Sequence, residues 1–293
     1  MARIVTPFDP WGSGLCTCPE KYSLNPYTGC SFRCLYCYIT TYIPRAFEVR
    51  RKKDLGKRVA KELTKLDRGA LISMSNSSDP YPYMEVEYGD TKEAVGIILS
   101  SGFRLLITTK SDLVVRDLDL FSRRTCVSMT LTTLRKEISE RLEPFAPSPE
   151  KRLEALKILH ESGIKTSLRL DPIICGINDG EINDVLERCS DCVNHVTSST
   201  FKPRADSWAR VNGEFPQDSK LYSKKGRVYY LKEAMRRELM GKVRIKCDEL
   251  GLTFGCCREG PPISDLNTGP CDGSGLILEN GDGVSEDKVA SSI

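Results

Sequence analysis

Histidine is nearly missing: the chain's 293 residues include only two, His160 and His195. That shortage argues against a His-rich zinc centre and weakens any Ser/His or Cys/His triad. A dominant charge sign is also lacking, since 43 basic residues face 40 acidic ones for a formal charge of +3. No run of about 18 apolar residues occurs, so no stretch is suited to cross a bilayer as a helix. The opening residues, Met1-Ala2-Arg3-Ile4-Val5, lead into no apolar h-region of the kind a signal peptide needs. These absences predict a soluble, cytoplasmic protein with no membrane partner. Hydrophobic residues make up 40% of the chain, enough for a sizeable core, and the length admits two domains or one α/β barrel.

Cysteine is plentiful by contrast. Thirteen of 293 residues is still below the roughly 8–10% of a disulfide scaffold. The odd count forbids complete pairing within the chain. In a reducing compartment such cysteines bind metal or do chemistry more often than they form bridges.

Short β-branched runs alternate with helical patterns, the sequence form of repeated βα units around a parallel sheet. The expected strands are Tyr22–Tyr27, Ala70–Ser75, Arg104–Thr109, Thr125–Thr130, Lys165–Asp171 and Val193–Thr200. Leu55, Val59, Leu63 and Leu66 recur at helical spacing. Ser148-Pro149 reads as an N-cap with proline at the first helical position, Leu153, Leu156 and Leu159 line one face, and Gly163 is the stop. The longest helix is expected over Val228–Leu250. Six strands with crossover helices predict a partial (βα)6-type TIM barrel, an α/β fold whose chemistry sits at the C-terminal strand ends. The expected organisation is an irregular N-terminal arm (1–20), a barrel core (21–200), a cysteine-containing extension over the barrel (201–278) and a disordered tail (279–293).

The strongest motif is Cys30-Ser31-Phe32-Arg33-Cys34-Leu35-Tyr36-Cys37, a C-x3-C-x2-C run just after a strand. Three thiolates in eight residues can fold around one iron–sulfur cluster. Three ligands on a four-iron cluster leave one iron open, as a reactive centre requires; by analogy, catalytic zinc sites keep an open position and structural ones do not. A zinc knuckle borrowing a fourth cysteine, or three buried thiols, are the competing readings.

These residues, with Tyr36 before the last cysteine, resemble the signature loop of the radical S-adenosylmethionine (SAM) superfamily. The longer string from Asn25-Pro26-Tyr27 to Cys37-Tyr38 resembles its spore photoproduct lyase-like branch. So do Ser78-Asp79-Pro80-Tyr81 with Glu85, Thr108-Thr109-Lys110-Ser111 with Arg116-Asp117, Glu143-Pro144, Pro147 to Leu153, and Asp171 to Asp179. The resemblance covers about residues 16 to 275. It implies a 4Fe-4S cluster on Cys30, Cys34 and Cys37 whose open iron chelates SAM. An electron from a donor such as ferredoxin or flavodoxin then cleaves SAM to methionine and a 5′-deoxyadenosyl radical, which abstracts hydrogen from the substrate. The cofactors carry that chemistry, and the protein orients and shields them. For SAM, the resemblance points to Ser75, Asn76, Ser77 and Asp79 after the second strand, which replace the superfamily's common Gly-Gly-Glu. It also points to Lys110 and Ser128 for the carboxylate or ribose, and to Ile173, Gly176, Ile177 and Tyr36 beside the adenine. Cys175 stands at a strand end and is a candidate to return a hydrogen atom to the product radical; a buried small hydrophobe is the competing reading.

Cys16, Cys18, Cys257 and Cys271 would form a second site, for zinc or an auxiliary iron–sulfur cluster, if the tail crosses the barrel mouth. Unconnected thiols, with Cys256 or Cys247 as substitute members, are the alternative. Basic residues crowd two stretches, 13 against 5 acidic over Lys202–Lys246 and 11 against 4 over Cys30–Arg68. Trp208, Tyr222, Tyr229 and Tyr230 interleave with the first, a composition suited to phosphate contact and base stacking on DNA or RNA. A solvated helix face explains many such runs. Three functions are therefore weighed: a radical SAM enzyme acting on a nucleic-acid base, in repair, lyase-like or modifying chemistry; the same machinery on a peptide or small metabolite; and a zinc- or cluster-stabilised binding module without catalysis.

Overall fold

The computed structural model describes residues 3–8 and 14–278. In chain order its strands are β1 (Val5–Pro7), β2 (Tyr22–Leu24), β3 (Tyr27–Thr28), β4 (Arg50–Arg51), β5 (Leu71–Met74), β6 (Arg104–Thr109), β7 (Thr125–Thr130), β8 (Lys165–Ile173), β9 (His195–Thr200), β10 (Tyr222–Lys225), β11 (Val228–Leu231) and β12 (Thr253–Cys256). Among the described residues eight of them form one sheet, ordered β1-β2-β5-β6-β7-β8-β9-β12. All neighbours are parallel except β1, which runs antiparallel to β2. The sheet curves as a partial barrel, with β1 and β12 at its open edges.

The six expected strands are all in this sheet, and its other two, β1 and β12, were not expected. The N-terminal arm is not wholly irregular, because Val5–Pro7 pairs with β2 and the amides of Ile4 and Val5 both donate to Glu62 Oε2 at 2.9 Å. The extension after residue 200 returns to the sheet as β12 beside β9. The expected helix over Val228–Leu250 is shorter, Glu233–Glu249, because Val228–Leu231 pairs with Tyr222–Lys225 as a hairpin closed by Gly226-Arg227. The β-branched and aromatic run Val228-Tyr229-Tyr230 suits a pleated surface better than a helix. The tail expected beyond Glu279 lies outside the described residues.

Helix Pro149–Glu161 shows how local sequence sets these elements. The Ser148 hydroxyl accepts from the Lys151 amide, Pro149 opens the first turn, and Leu156 and Leu159 are fully buried. Its apolar face packs on strand residues that alternate with a second set. Leu105, Ile107, Val127, Met129, Leu168 and Leu170 are fully buried in the core beneath the helices. The intervening Leu106, Thr108, Thr130, Arg169 and Asp171 line a cavity on the opposite, inner face of the sheet. The period of two along a strand therefore separates core from lumen. The floor of the lumen is plugged by the C-terminal segment, whose Ile277 packs with Leu71, Leu106 and Cys126.

Glu85, fully buried, ties the second and third βα units together. It accepts from the Tyr27 hydroxyl, from the amides of Thr91 (2.9 Å) and Lys92 (3.1 Å), and from Arg116 Nη2 at 2.6 Å. Removing one member of a buried ion pair costs about 3–5 kcal/mol. Glu85→Ala is expected to lose that much in urea unfolding, and a loss under about 1 kcal/mol would show the carboxylate to be dispensable.

Candidate active site

The cysteine loop begins directly after β3 and lies between it and its antiparallel partner β4. Gly29 has φ 80°, and a Cβ there would stand 2.2 Å from the Glu48 carbonyl oxygen, so this crossing admits no side chain. The Cys30 amide donates to Ala46 O at 2.8 Å, and the Leu35 amide to Leu142 O at 2.8 Å. Arg210, on helix Ala205–Glu214, clamps the other side by donating to Leu35 O (3.0 Å) and Cys37 O (2.6 Å). Cys30, Cys34 and Cys37 consequently line one wall of a cavity of about 510 Å³. Burial pushes the Cys30 thiol up to about 12 and raises Cys34 and Cys37 as well. Without a metal these are neutral thiols, and loading one requires their deprotonation. The donor set fits a cluster held by three thiolates, although among the described residues no three donors already enclose an ion.

Ser75, Asn76, Ser77 and Asp79 line the same cavity at the end of β5. Asn25 Oδ1 accepts from the amides of Asn76 (3.0 Å) and Ser77 (2.9 Å), fixing this turn to the entry of the cysteine loop. Ser75 has φ 78°, and its buried hydroxyl has no partner, so a polar atom faces space that a ligand would fill. Burial raises the Asp79 pKa, opposed by hydrogen bonds from Tyr81 N, Lys110 N and Thr109 Oγ1. These residues suit the cationic amino group of SAM.

Behind Cys34 lies a buried charge network. Glu143 accepts from the Tyr36 hydroxyl and pairs with Arg152 Nη1 at 2.5 Å, with Lys110 Nζ 4.0 Å away. Burial acts to raise its pKa, but Arg152 and Lys110 hold it below the ordinary carboxylate value. Lys110 also lies 5.4 Å from the centre of the Tyr36 ring. The lysine thus stands beside the triplet as a fixed positive charge at the end of β6.

Five expected residues are not brought to the cavity. Ser128 is fully buried and Thr130, two positions on, lines the wall instead. Ile173 and Ile177 belong to the core, and Gly176 occupies an exposed turn, so none forms an adenine shelf in this structure. Cys175 likewise lies off the cavity lining, half-buried against the core, and burial pushes its thiol up to about 11. The aromatic interleaving also reads differently, since Trp208 stacks on Tyr229 and meets Tyr222 edge-on, and Tyr222 and Tyr230 are buried. Tyr38 and Tyr42 are the stacked, half-exposed pair on the lining. Sequence reasoning placed Lys110 here but missed these two tyrosines, the inward pair Arg169/Asp171, and Thr108 and Ser199. Polar residues alternating along β8, Ser167, Arg169 and Asp171, were the available signal.

The Radical SAM superfamily model matches residues 24–189, more than half of the chain, and the chain belongs to that superfamily. An uncharacterised protein of Methanocaldococcus jannaschii is 36% identical over 169 residues, 55% of this chain and 63% of that protein. A radical SAM Nalpha-GlyT isomerase of Pseudomonas phage M6 is 24% identical over 260 residues, 82% of this chain and 54% of its own. The chain thus spans less than two thirds of the length of these curated relatives. Among solved structures, a spore photoproduct lyase variant with bound AdoMet and dinucleoside spore photoproduct overlaps with TM-score 0.62 at 18% identity, covering 78% of this chain and 74% of its own. Streptococcus suis SuiB bound to precursor peptide SuiA overlaps with TM-score 0.59 at 16% identity, covering 82% and 49%. Both share the fold.

Gly29→Ala tests the loop crossing. It is expected to destabilise the protein by about 2–3 kcal/mol and to cut iron loading after anaerobic reconstitution by more than half. Wild-type iron content with an unchanged unfolding midpoint would show that the loop tolerates a side chain.

Proposed function

We propose that this radical SAM enzyme acts on a nucleic-acid base, in repair or modification. A cluster on Cys30, Cys34 and Cys37 and SAM, when bound, supply the carbon radical that takes a hydrogen atom from the substrate, fed by a one-electron donor of the ferredoxin or flavodoxin type. The chain's own residues position and shield that chemistry. Asp79 offers a carboxylate for the SAM amino group, Lys110 a charge for its carboxylate, and Tyr36 and the buried Glu143 network hold the loop behind Cys34.

The observation that carries the substrate reading is the charge at the cavity mouth. Val228 lines the cavity, and the hairpin it belongs to exposes Lys224, Lys225 and Arg227. None of the three has a carboxylate within 4.0 Å among the described residues. Arg204 and the half-exposed Tyr38 and Tyr42 stand on the same lining. Cations for phosphates beside rings for a base suit a single-stranded or flipped nucleotide. The lyase structure that holds a dinucleoside supports this reading. The SuiB complex favours a peptide as the second reading, for which the basic hairpin supplies no particular reason.

Two outcomes are expected. Reconstituted protein with dithionite and SAM forms 5′-deoxyadenosine by mass spectrometry, and Cys34→Ala forms none while keeping its far-ultraviolet circular dichroism. Cluster absorbance persisting in that variant would remove the triplet from its assigned role. Separately, Lys224→Gln with Lys225→Gln and Arg227→Gln should weaken binding to a DNA or RNA oligonucleotide by about tenfold or more and flatten its salt dependence by up to ~3 in slope. Binding that ignores salt would sink the nucleic-acid reading and leave the peptide.

A further inference from the structure

Four cysteines outside the triplet meet at one place. The Cys18 and Cys271 sulfurs are 3.5 Å apart, although the residues are separated by 253 positions. The Cys18 amide lies 3.5 Å from Cys16 Sγ. The Cys257 thiol is within electrostatic reach of Cys16, Cys18 and Cys271. All four are free of disulfides. Cys16, Cys18 and Cys257 share the lining of the cavity that also holds the triplet, and Cys271 is buried behind them.

The backbone is built to make this meeting. A Cβ on Gly255 would fall 2.4 Å from the Cys271 Cα, so β12 receives the cysteine's main chain directly. A Cβ on Gly260 would fall 2.4 Å from Leu15 Cδ2, at the start of the Cys16-Thr17-Cys18 segment. Asn267 joins the two sides, accepting from the Cys256 amide at 2.6 Å and donating to Thr17 Oγ1 at 3.3 Å. Lys21, buried and paired with Asp272, and Arg169 place positive charge beside the sulfurs. The two substitute members are excluded by position. Cys247 is fully buried in the helix core, and Cys256 turns its thiol toward Ile263 O.

We infer that Cys16, Cys18, Cys257 and Cys271 form a second metal site, a closed set of four thiolates for one zinc ion. A Zn–S bond of about 2.3 Å makes a tetrahedral edge of about 3.8 Å, close to the Cys18–Cys271 separation. Four protein ligands leave no open position, so the ion is structural. It joins the N-terminal arm to the C-terminal segment and fixes the part of the cavity lining that Cys16, Cys18 and Cys257 supply. Binding draws Cys16 and Cys257 inward, since the four are not yet closed on a point. The inference does not rest on the nucleic-acid reading.

The test is metal content of the whole chain, purified anaerobically, by plasma mass spectrometry. Wild type is expected to carry about one zinc, besides about four iron atoms after reconstitution. Cys16→Ser with Cys257→Ser should lower zinc at least fivefold and leave iron and cluster absorbance in place. The triple variant Cys30→Ala, Cys34→Ala, Cys37→Ala should do the reverse. Should the first variant fail to fold, cobalt bound to wild type should give the intense visible bands of a tetrahedral tetrathiolate centre. Wild type without zinc and without those cobalt bands would overturn the inference. So would zinc unchanged in Cys16→Ser with Cys257→Ser, a Cys18–Cys271 disulfide in the anaerobic protein, or about eight iron atoms falling to four in that variant, which would assign an auxiliary cluster.

Discussion

Every strand of the parallel sheet faces an apolar layer of helices on one side and a polar lumen on the other. The rest of the molecule follows from that alternation. Leu105 and Ile107 are in the core while Leu106 and Thr108 line the cavity, and the same division runs through β8 with Leu168 and Leu170 against Arg169 and Asp171. A slip of one residue in any of these strands would put charge into the core and leucine into the site. Register is therefore specified strongly by burial, and the cavity inherits that precision without needing rigid loops of its own.

The elements legible in the sequence were those with local causes. Helix Pro149–Glu161 announces itself by its cap, its proline and its leucine spacing, and the six inner strands by β-branched runs. The cysteine loop is legible because three ligands must lie close together in sequence. What failed depended on partners outside the segment itself. Val228–Leu231 became a strand because Tyr222–Lys225 lies alongside it, and Val5–Pro7 joined the sheet because β2 offered an edge. Ser128 lies inside β7, and Ile173 ends β8 with Gly176 and Ile177 just beyond it, so which of them reaches the cavity depends on the face each presents. Tyr38 and Tyr42 looked like loop residues and are cavity residues, since the loop folds over the strand ends.

The charges behind the cysteine loop form a graded series. Arg152 and Glu143 are both withdrawn from solvent, Lys110 is partly open to the cavity, and Asp79 accepts from the backbone of Lys110 itself. In a medium of low polarity such charges act over longer distances than they would in water. A centre at Cys34 would sense all of them, so its electronic properties depend on residues that never touch it.

The cavity lining combines Cys16 and Cys18 with Cys257 and Asp272 in one wall built from both ends of the described chain. During synthesis residues 16–18 precede the parallel sheet while residues 257 and 272 follow β9, so one half of this wall is made before the sheet and the other after it. Residues 271–277 follow β12 and fill the floor of the chamber. The chamber is thus closed by segments from both ends of the described chain, so loss of either would open the lumen without removing a strand between β2 and β9.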